Sequence, residues 1–310
     1  MKNKQLKELL EKQHYGFAGE HTAVKICEWT KKSLRNEDVC FKEKFYGIRS
    51  HLCCQMSPAV NFCSHSCLFC WRPTEYNQGM EMKLEDKPGD IIDNCIKARR
   101  KLLNGFWGNK KADRKKLKEA ENPNFFAISL SGEPTLYPKL PELVDGLKKR
   151  KITSFLVTNG TNPSMLKRLT GHQPTQLYIT LPAPDKQTYT KLCKPLIEDG
   201  WEKIKQSLSL LKKFKRSTIR LTLVKGINML KPEKYAELIK RYSPLFVEVK
   251  SYMYVGYSQK RLKIGNMPVH DEVKDFAKKI AEHSGYKIVD EKENSRVVLL
   301  MRKDSKARFL

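Results

Sequence analysis

Apolar positions along this chain switch between two periods. Short runs rich in branched and aromatic residues occur at Phe125–Leu130 (FFAISL), Ile152–Val157 (ITSFLV), Gln176–Leu181 (QLYITL), Ile219–Val224 (IRLTLV) and Leu245–Tyr252 (LFVEVKSY). Their length and composition predict buried β-strands. Around them apolar residues recur at helical spacing, near Asp90–Leu103, Lys139–Lys149, Ser164–Leu169, Ile204–Lys213, Pro232–Arg241 and Glu272–His283. A further strand is expected to lead into Cys63. The alternation predicts an α/β fold with about six βα units and a parallel sheet. Right-handed crossovers would curl that sheet into a partial, incomplete TIM-like barrel. The N-terminal MKNKQLKELLEKQHYG reads as an amphipathic helix without the continuous apolar stretch of a secretory signal. Tyr286–Asp290 and Ser295–Arg302 read as a terminal hairpin around EKEN. The expected division is an N-terminal extension over 1–57, a barrel over 58–285, and a hairpin with a basic tail over 286–310.

In such a barrel the functional residues belong at the C-terminal ends of the strands. FFAISL runs directly into Ser131-Gly132-Glu133-Pro134, ITSFLV into Thr158-Asn159-Gly160-Thr161, and QLYIT ends on Thr180. On the residues alone, each is also an ordinary strand-ending turn. The proline-rich Leu181–Asp185 loop has no role that its sequence assigns.

Composition narrows the classes. The chain has 310 residues, 40% of them hydrophobic and 30% charged, as in soluble globular proteins. No apolar run approaches the ~20 residues of a membrane span, so a cytoplasmic protein is expected. Lys and Arg number 60 against 34 Asp and Glu, a net charge of +26. A balance so lopsided predicts a polyanionic partner. Heat-adapted surfaces also gain lysine, but they gain glutamate with it. The basic residues cluster at Lys110–Lys118, at Lys203–Arg220, which holds no acidic residue, and in the tail MRKDSKARFL. Charge does not separate RNA from DNA.

The nine cysteines stand at 27, 40, 53, 54, 63, 67, 70, 95 and 193. Without an export signal, clustered thiols point to metal rather than to disulfides. Cys63, Cys67 and Cys70 form C-x3-C-x2-C. Zinc sites favour paired Cys-x2-Cys units with a distant fourth ligand. Three thiolates alone suit a 4Fe–4S cube that leaves one iron open to a substrate. Zinc with His65 as fourth ligand is the alternative. Cys27, Cys40 and Cys53 form a regular C-x12-C-x12-C. Either the segment wraps around one site, or these are three unrelated buried thiols. Cys54, beside Cys53, leaves the third member of that set open. Cys95 and Cys193 read as structural.

The three-cysteine segment, with Phe69 before its last cysteine, resembles the signature of the radical S-adenosylmethionine (SAM) superfamily. The resemblance implies that SAM binds the open iron and is cleaved to a 5′-deoxyadenosyl radical. Ser131-Gly132-Glu133 stands where that superfamily carries a Gly-Gly-Glu motif for the SAM ammonium. Thr158, Asn159 and Thr180 would lie near the rest of SAM, with Met253 a further candidate. The spaced N-terminal cysteines, SPAVNFCSHSCLFCWRP, SLSGEPTLYP and LVTNGT together resemble the tRNA 4-demethylwyosine synthases. That resemblance implies a second 4Fe–4S cluster on Cys27, Cys40 and Cys53, and pyruvate held as a Schiff base on Lys42. It also implies a substrate, tRNA(Phe) bearing N1-methylguanosine at position 37, whose methyl carbon joins two pyruvate carbons in a third ring.

Such a base lies in a single-stranded loop and is accessible to stacking side chains; Trp71, Trp107, Tyr252, Tyr254 and Tyr257 are candidates. Eukaryotic relatives carry a flavin-binding domain, for which the segment before Cys63 leaves no room. A separate flavodoxin- or ferredoxin-type donor and a monomeric enzyme are therefore expected. Two other readings compete: a different radical SAM enzyme acting on RNA, such as a methyl- or methylthiotransferase, and a non-catalytic, zinc-stabilised RNA-binding protein.

Overall fold

A computed structural model describes residues 4–83 and 86–310. The chain opens with helix α1 (Lys4–Lys12), which buries Leu6 and Leu10; the first three residues of the expected helix lie outside the described residues. Two short strands follow, β1 (Gly16–Phe17) and β2 (Ala23–Lys25), then helices α2 (Glu28–Leu34) and α3 (Phe41–Tyr46) and strand β3 (Cys53–Ser57). Helices α4 (Pro88–Trp107) and α5 (Arg114–Ala120) lead to β4 (Phe125–Ile128), α6 (Leu140–Lys149) and β5 (Thr153–Thr158). Next come α7 (Pro163–Leu169), β6 (Gln176–Thr180), α8 (Lys186–Cys193), α9 (Gly200–Ser209) and β7 (Ser217–Leu223). The chain ends with α10 (Pro232–Tyr242), β8 (Phe246–Ser251), α11 (His270–Ser284), β9 (Lys287–Lys292) and β10 (Val297–Met301).

Among the described residues, ten strands join one sheet in the order β1-β2-β3-β4-β5-β6-β7-β8-β10-β9. From β3 to β8 every neighbouring pair is parallel. The α/β alternation read from the periodicity is therefore present, and the parallel strands follow one another in sequence order. Two additions enlarge it. At one edge, β1 and β2 pair antiparallel onto β3. At the other, the hairpin continues the sheet, because β10 pairs antiparallel with β8 as well as with β9. Its run Val297–Met301 is buried throughout, and a central place in a sheet is what satisfies both faces of such a strand. Helix α8 has no counterpart among the elements expected from periodicity. It starts where the proline-rich loop ends, because the Asp185 carboxylate accepts from the Thr188 amide at 2.9 Å as an N-cap.

The two faces of the sheet differ. One is covered by the helices, which bury Cys54, Met56, Phe126, Ile128, Leu156, Ile179 and Leu221 in the main core. The alternate residues face the other way. Phe125, Phe155, Tyr178 and Phe246, from four different strands, gather with Phe41, Phe45 and Tyr46 of α3. Tyr46 meets Phe155 at 5.7 Å and Phe246 at 5.1 Å, both edge-on, so one short helix touches β5 and β8 together. Among the described residues, no helix is long and apolar enough to cross a membrane.

Candidate active site

Beyond the end of β3 lies the loop that carries Cys63, Cys67 and Cys70. It has no regular structure of its own, and other segments fix its shape. The Cys63 amide donates to the Gly79 carbonyl at 2.9 Å, and the amides of Ser66 and Leu68 donate to the carbonyls of Cys193 and Leu192 at the end of α8. Arg261 donates to the carbonyls of Leu68 and Cys70. All three thiols are free and partly accessible. Burial pushes Cys63 and Cys70 up, Cys70 to about 11, and a hydrogen bond with Cys193, then burial, pushes Cys67 up. Thiolates in such a place need a multivalent cation to hold them, so the donor set fits an iron–sulfur cluster.

His65, the sequence's candidate for a fourth zinc ligand, has its Nε2 2.7 Å from the Tyr189 hydroxyl. Among the described residues, the ligating atoms gathered within 4.8 Å are those of His65, Cys67 and Cys193, not those of the three loop thiols. A cube spreads its cysteine sulfurs farther apart than a single ion does, so the loop's wider spacing suits the cluster. Cys193 is buried beside Cys67, and Cys95 lies in the main core.

The turn after β4 is pressed against this loop. Gly132 has φ +71, and a Cβ there would lie 1.9 Å from the Ala59 carbonyl oxygen and 2.6 Å from that of Phe62. Only glycine allows both the left-handed backbone and the close approach. The Glu133 amide donates to the Phe62 carbonyl at 2.7 Å, and the Ser131 hydroxyl donates to Asn61 Oδ1 at 2.7 Å. The buried Glu133 carboxylate ties neighbouring strand ends together. Its Oε1 accepts from the amide and hydroxyl of Thr135 and from the Thr158 hydroxyl, and its Oε2 accepts from the Asn159 amide at 2.7 Å. Asn159 reaches back, with Nδ2 3.7 Å from Cys63 Sγ. Thr180 ends β6, partly exposed, and Phe69 packs against the main core.

The second set of cysteines converges as well. Cys27 caps α2, Cys40 caps α3, and Cys53 opens β3. Burial raises the Cys40 and Cys53 thiols, and both stand close enough to Cys27 for it to add to that shift, while Lys42 opposes it. Arg99 of α4 positions the third member, donating to the carbonyls of Cys53 at 3.1 Å and His51 at 2.6 Å. Strand alternation puts Cys54 on the opposite face, within the main core, so Cys53 is the one that faces Cys27 and Cys40. The two cysteine sets flank β3, which spans roughly 13 Å.

Lys42 lies beside the second set. It is 7% exposed, and its Nζ stands 5.1 Å from the ring centres of Phe155 and Tyr178 and 5.8 Å from that of Phe125. Burial, then the Arg220 charge, pulls its pKa below the usual lysine range, against the pull of Cys40, Glu248 and Cys53. The sequence alone did not single out the polar groups around it. Glu248, fully buried, accepts from Arg220 Nε at 3.0 Å and Nη2 at 2.9 Å, and from the Tyr46 hydroxyl at 2.8 Å. Arg220 and Glu248 sit inside strands that read as plain β-runs, where alternating polar positions look like solvent contacts. Of the aromatic candidates for stacking, Trp71 and Trp107 are exposed, whereas Tyr252 is buried with its hydroxyl on Ser258 and is no surface platform.

Comparison with known proteins accords with this geometry. Two family descriptions match, "Radical SAM superfamily" over residues 57–239 and "Wyosine base formation" over residues 241–302. An S-adenosyl-L-methionine-dependent tRNA 4-demethylwyosine synthase of Pyrococcus horikoshii is 51% identical, over 97% of this chain and 90% of its own length. The enzyme of that name from Methanocaldococcus jannaschii is 41% identical over 96% of both chains. A solved structure of TYW1 with a lysine–pyruvate adduct bound superposes with a TM-score of 0.89 at 39% identity, covering 100% of this chain and 98% of the other.

Proposed function

The chain belongs to the tRNA 4-demethylwyosine synthases of the radical SAM superfamily, and from that premise we propose that it condenses N1-methylguanosine at position 37 of tRNA(Phe) with pyruvate to form 4-demethylwyosine. Membership makes it a radical SAM enzyme of wyosine biosynthesis, using SAM and a 4Fe–4S cluster. The observation that carries the finer reading is the meeting of Lys42 with three convergent cysteines beneath the SAM-type loop.

Cys63, Cys67 and Cys70 would hold the first cluster, and Cys27, Cys40 and Cys53 a second. When bound, the first cluster with SAM supplies a carbon radical able to take hydrogen from a methyl group. The protein's own part is placement. Gly132 lets the Ser131–Glu133 turn reach the cysteine loop. There Glu133 Oε2, which accepts from the Asn159 amide, has capacity for the SAM ammonium. Thr158, Asn159 and Thr180 would line the remainder of SAM, and Phe69 would back the cluster.

Lys42 is the group we assign to pyruvate. Its Nζ attacks the keto carbon and water leaves, giving a Schiff base whose formation is favoured in a dry pocket. The bound lysine–pyruvate adduct of the TYW1 relative supports this assignment. Packing of rings from β4, β5, β6 and β8 around α3 supports reading the sheet as a partial barrel. Residues 1–57, 58–285 and 286–310 would be its extension, barrel and terminal hairpin. A flavodoxin- or ferredoxin-type donor would bring the electron, and the chain would act as a monomer.

The test is an anaerobic turnover with SAM, dithionite, carbon-13 pyruvate and tRNA bearing the methylated guanosine. Digested nucleosides are weighed by mass spectrometry. A tricyclic nucleoside carrying two pyruvate carbons is expected. Formation of 5′-deoxyadenosine with the guanosine unchanged would refute the proposal while leaving the superfamily intact.

A further inference from the structure

A buried cation, Arg72, and a half-buried one, Lys25, lie between the cysteine sets, and among the described residues neither has an acidic side chain as an ion-pair partner. Arg72 follows the cysteine loop, is 5% exposed, and spends one guanidinium N–H on the Leu130 carbonyl at 2.5 Å. Its Nη2 is buried with no hydrogen-bond partner. Lys25 ends β2, and its Nζ lies 5.0 Å from the ring centre of Tyr15, while the Arg72 guanidinium lies 5.2 Å from the same ring. The two charges are near enough to repel each other. Among the described residues, neither forms an ion pair. A buried guanidinium ordinarily faces a carboxylate, so the arrangement is costly unless an anion enters.

Two more polar groups lie close by. The Tyr15 hydroxyl is buried without a partner, and so is Gln55 Oε1. Gln55 is the direct cross-strand neighbour of Lys25 in the β2–β3 register, so their side chains share a face of the sheet. A side-chain amide can turn its N–H₂ to an incoming acceptor. A hydroxyl, an amide, an ammonium and an unused guanidinium N–H are thus linked as neighbours, Tyr15 to Lys25 and Arg72 and Gln55 to Lys25, with Cys27 two residues beyond Lys25 and Cys70 two residues before Arg72.

We propose that Tyr15, Lys25, Gln55 and Arg72 form a binding site for the carboxylate of a small substrate. This rests on the proposed function, which brings two such carboxylates here, one on SAM and one on the 2-oxo acid. The buried Arg72 suits a compact carboxylate better than an exposed RNA backbone. All four would hold the substrate directly and take no part in the bond-making steps.

The test uses reconstituted holoenzyme under anaerobic conditions. Pyruvate and SAM binding are measured separately by equilibrium dialysis for wild type, Lys25→Met and Gln55→Glu, with iron content checked in each. Gln55→Glu installs an internal carboxylate among the cations. It is expected to raise the thermal midpoint by relieving their repulsion and to weaken the incoming ligand by about tenfold or more. Lys25→Met, which also ends that repulsion, should weaken the same ligand. Loss confined to pyruvate, or confined to SAM, supports the site and identifies its source. Unchanged affinity for both in both variants overturns it. If wild type binds no pyruvate and makes no tricyclic product, the proposed function fails, whereas normal wild-type turnover with unaffected variants removes only this inference.

Discussion

The two cysteine sets differ in how they are built. Cys63, Cys67 and Cys70 lie in a single loop whose spacing already carries the chemistry. Cys27, Cys40 and Cys53 come from the starts of two helices and a strand, and only the fold brings them together. The first set is held by backbone hydrogen bonds to distant segments. The second is held by the packing of α3 into the aromatic face of the sheet and by Arg99. On the proposed function, local spacing encodes the radical-forming end, and tertiary packing encodes the end where pyruvate would be placed.

The sharpest way to break this division is to remove one thiol from each set. Cys63→Ala should abolish both 5′-deoxyadenosine and tricyclic product, whereas Cys53→Ala should abolish product yet keep reductive cleavage of SAM. Chromatography of SAM products from the two variants decides it, and loss of cleavage in Cys53→Ala would show that the ends are not separable.

Lys42→Ala comes next in expected size. Borohydride trapping of carbon-14 pyruvate onto the protein should disappear, and product should fall below detection while SAM cleavage persists. Lys42→Arg keeps the charge but offers no nucleophilic amine, so it should fail in the same way. Full turnover by either variant would remove Lys42 from its assigned role.

Glu248→Gln probes the packing beneath Lys42. Removing a buried partner of Arg220 should cost about 3–5 kcal/mol in chemical denaturation. Replacing both, as Arg220→Met with Glu248→Leu, should recover much of that stability because no unpaired charge remains. The smallest effect is expected from Cys54→Ala, on the helix-covered face. It should cost about 1 kcal/mol and leave iron content unchanged; a loss of iron would mean that Cys54 rather than Cys53 belongs to the second set.

The same contrast between local and tertiary encoding explains which features are legible in the amino-acid sequence. The parallel strands can be read there because buried runs such as FFAISL and QLYIT carry their signal locally, and strands β4 to β8 stand within a few residues of the expected runs. The cysteine loop and Ser131-Gly132-Glu133 are legible for the same reason. Strands β1 and β2 are not, being too short to show a period. The insertion of β10 beside β8 is also hidden, since a hairpin pattern does not say which sheet edge it joins. Whether Cys27, Cys40 and Cys53 converge depends on α2, α3 and the turn before β3, none of which has a long periodic pattern. Arg220, Glu248 and Arg72 give no local signal, because a charged residue in a basic chain shows no sign of burial until its neighbours are placed.

The central claim is that two separately built thiol sets each hold an iron–sulfur cluster. It is tested most directly by iron and acid-labile sulfide analysis with Mössbauer spectroscopy on anaerobically reconstituted protein. Wild type, a Cys63/Cys67/Cys70→Ala variant and a Cys27/Cys40/Cys53→Ala variant would be compared. The account predicts about eight irons in wild type and about four in each variant, all of 4Fe–4S type. About four irons in wild type, with none lost from the Cys27/Cys40/Cys53→Ala variant, would contradict it.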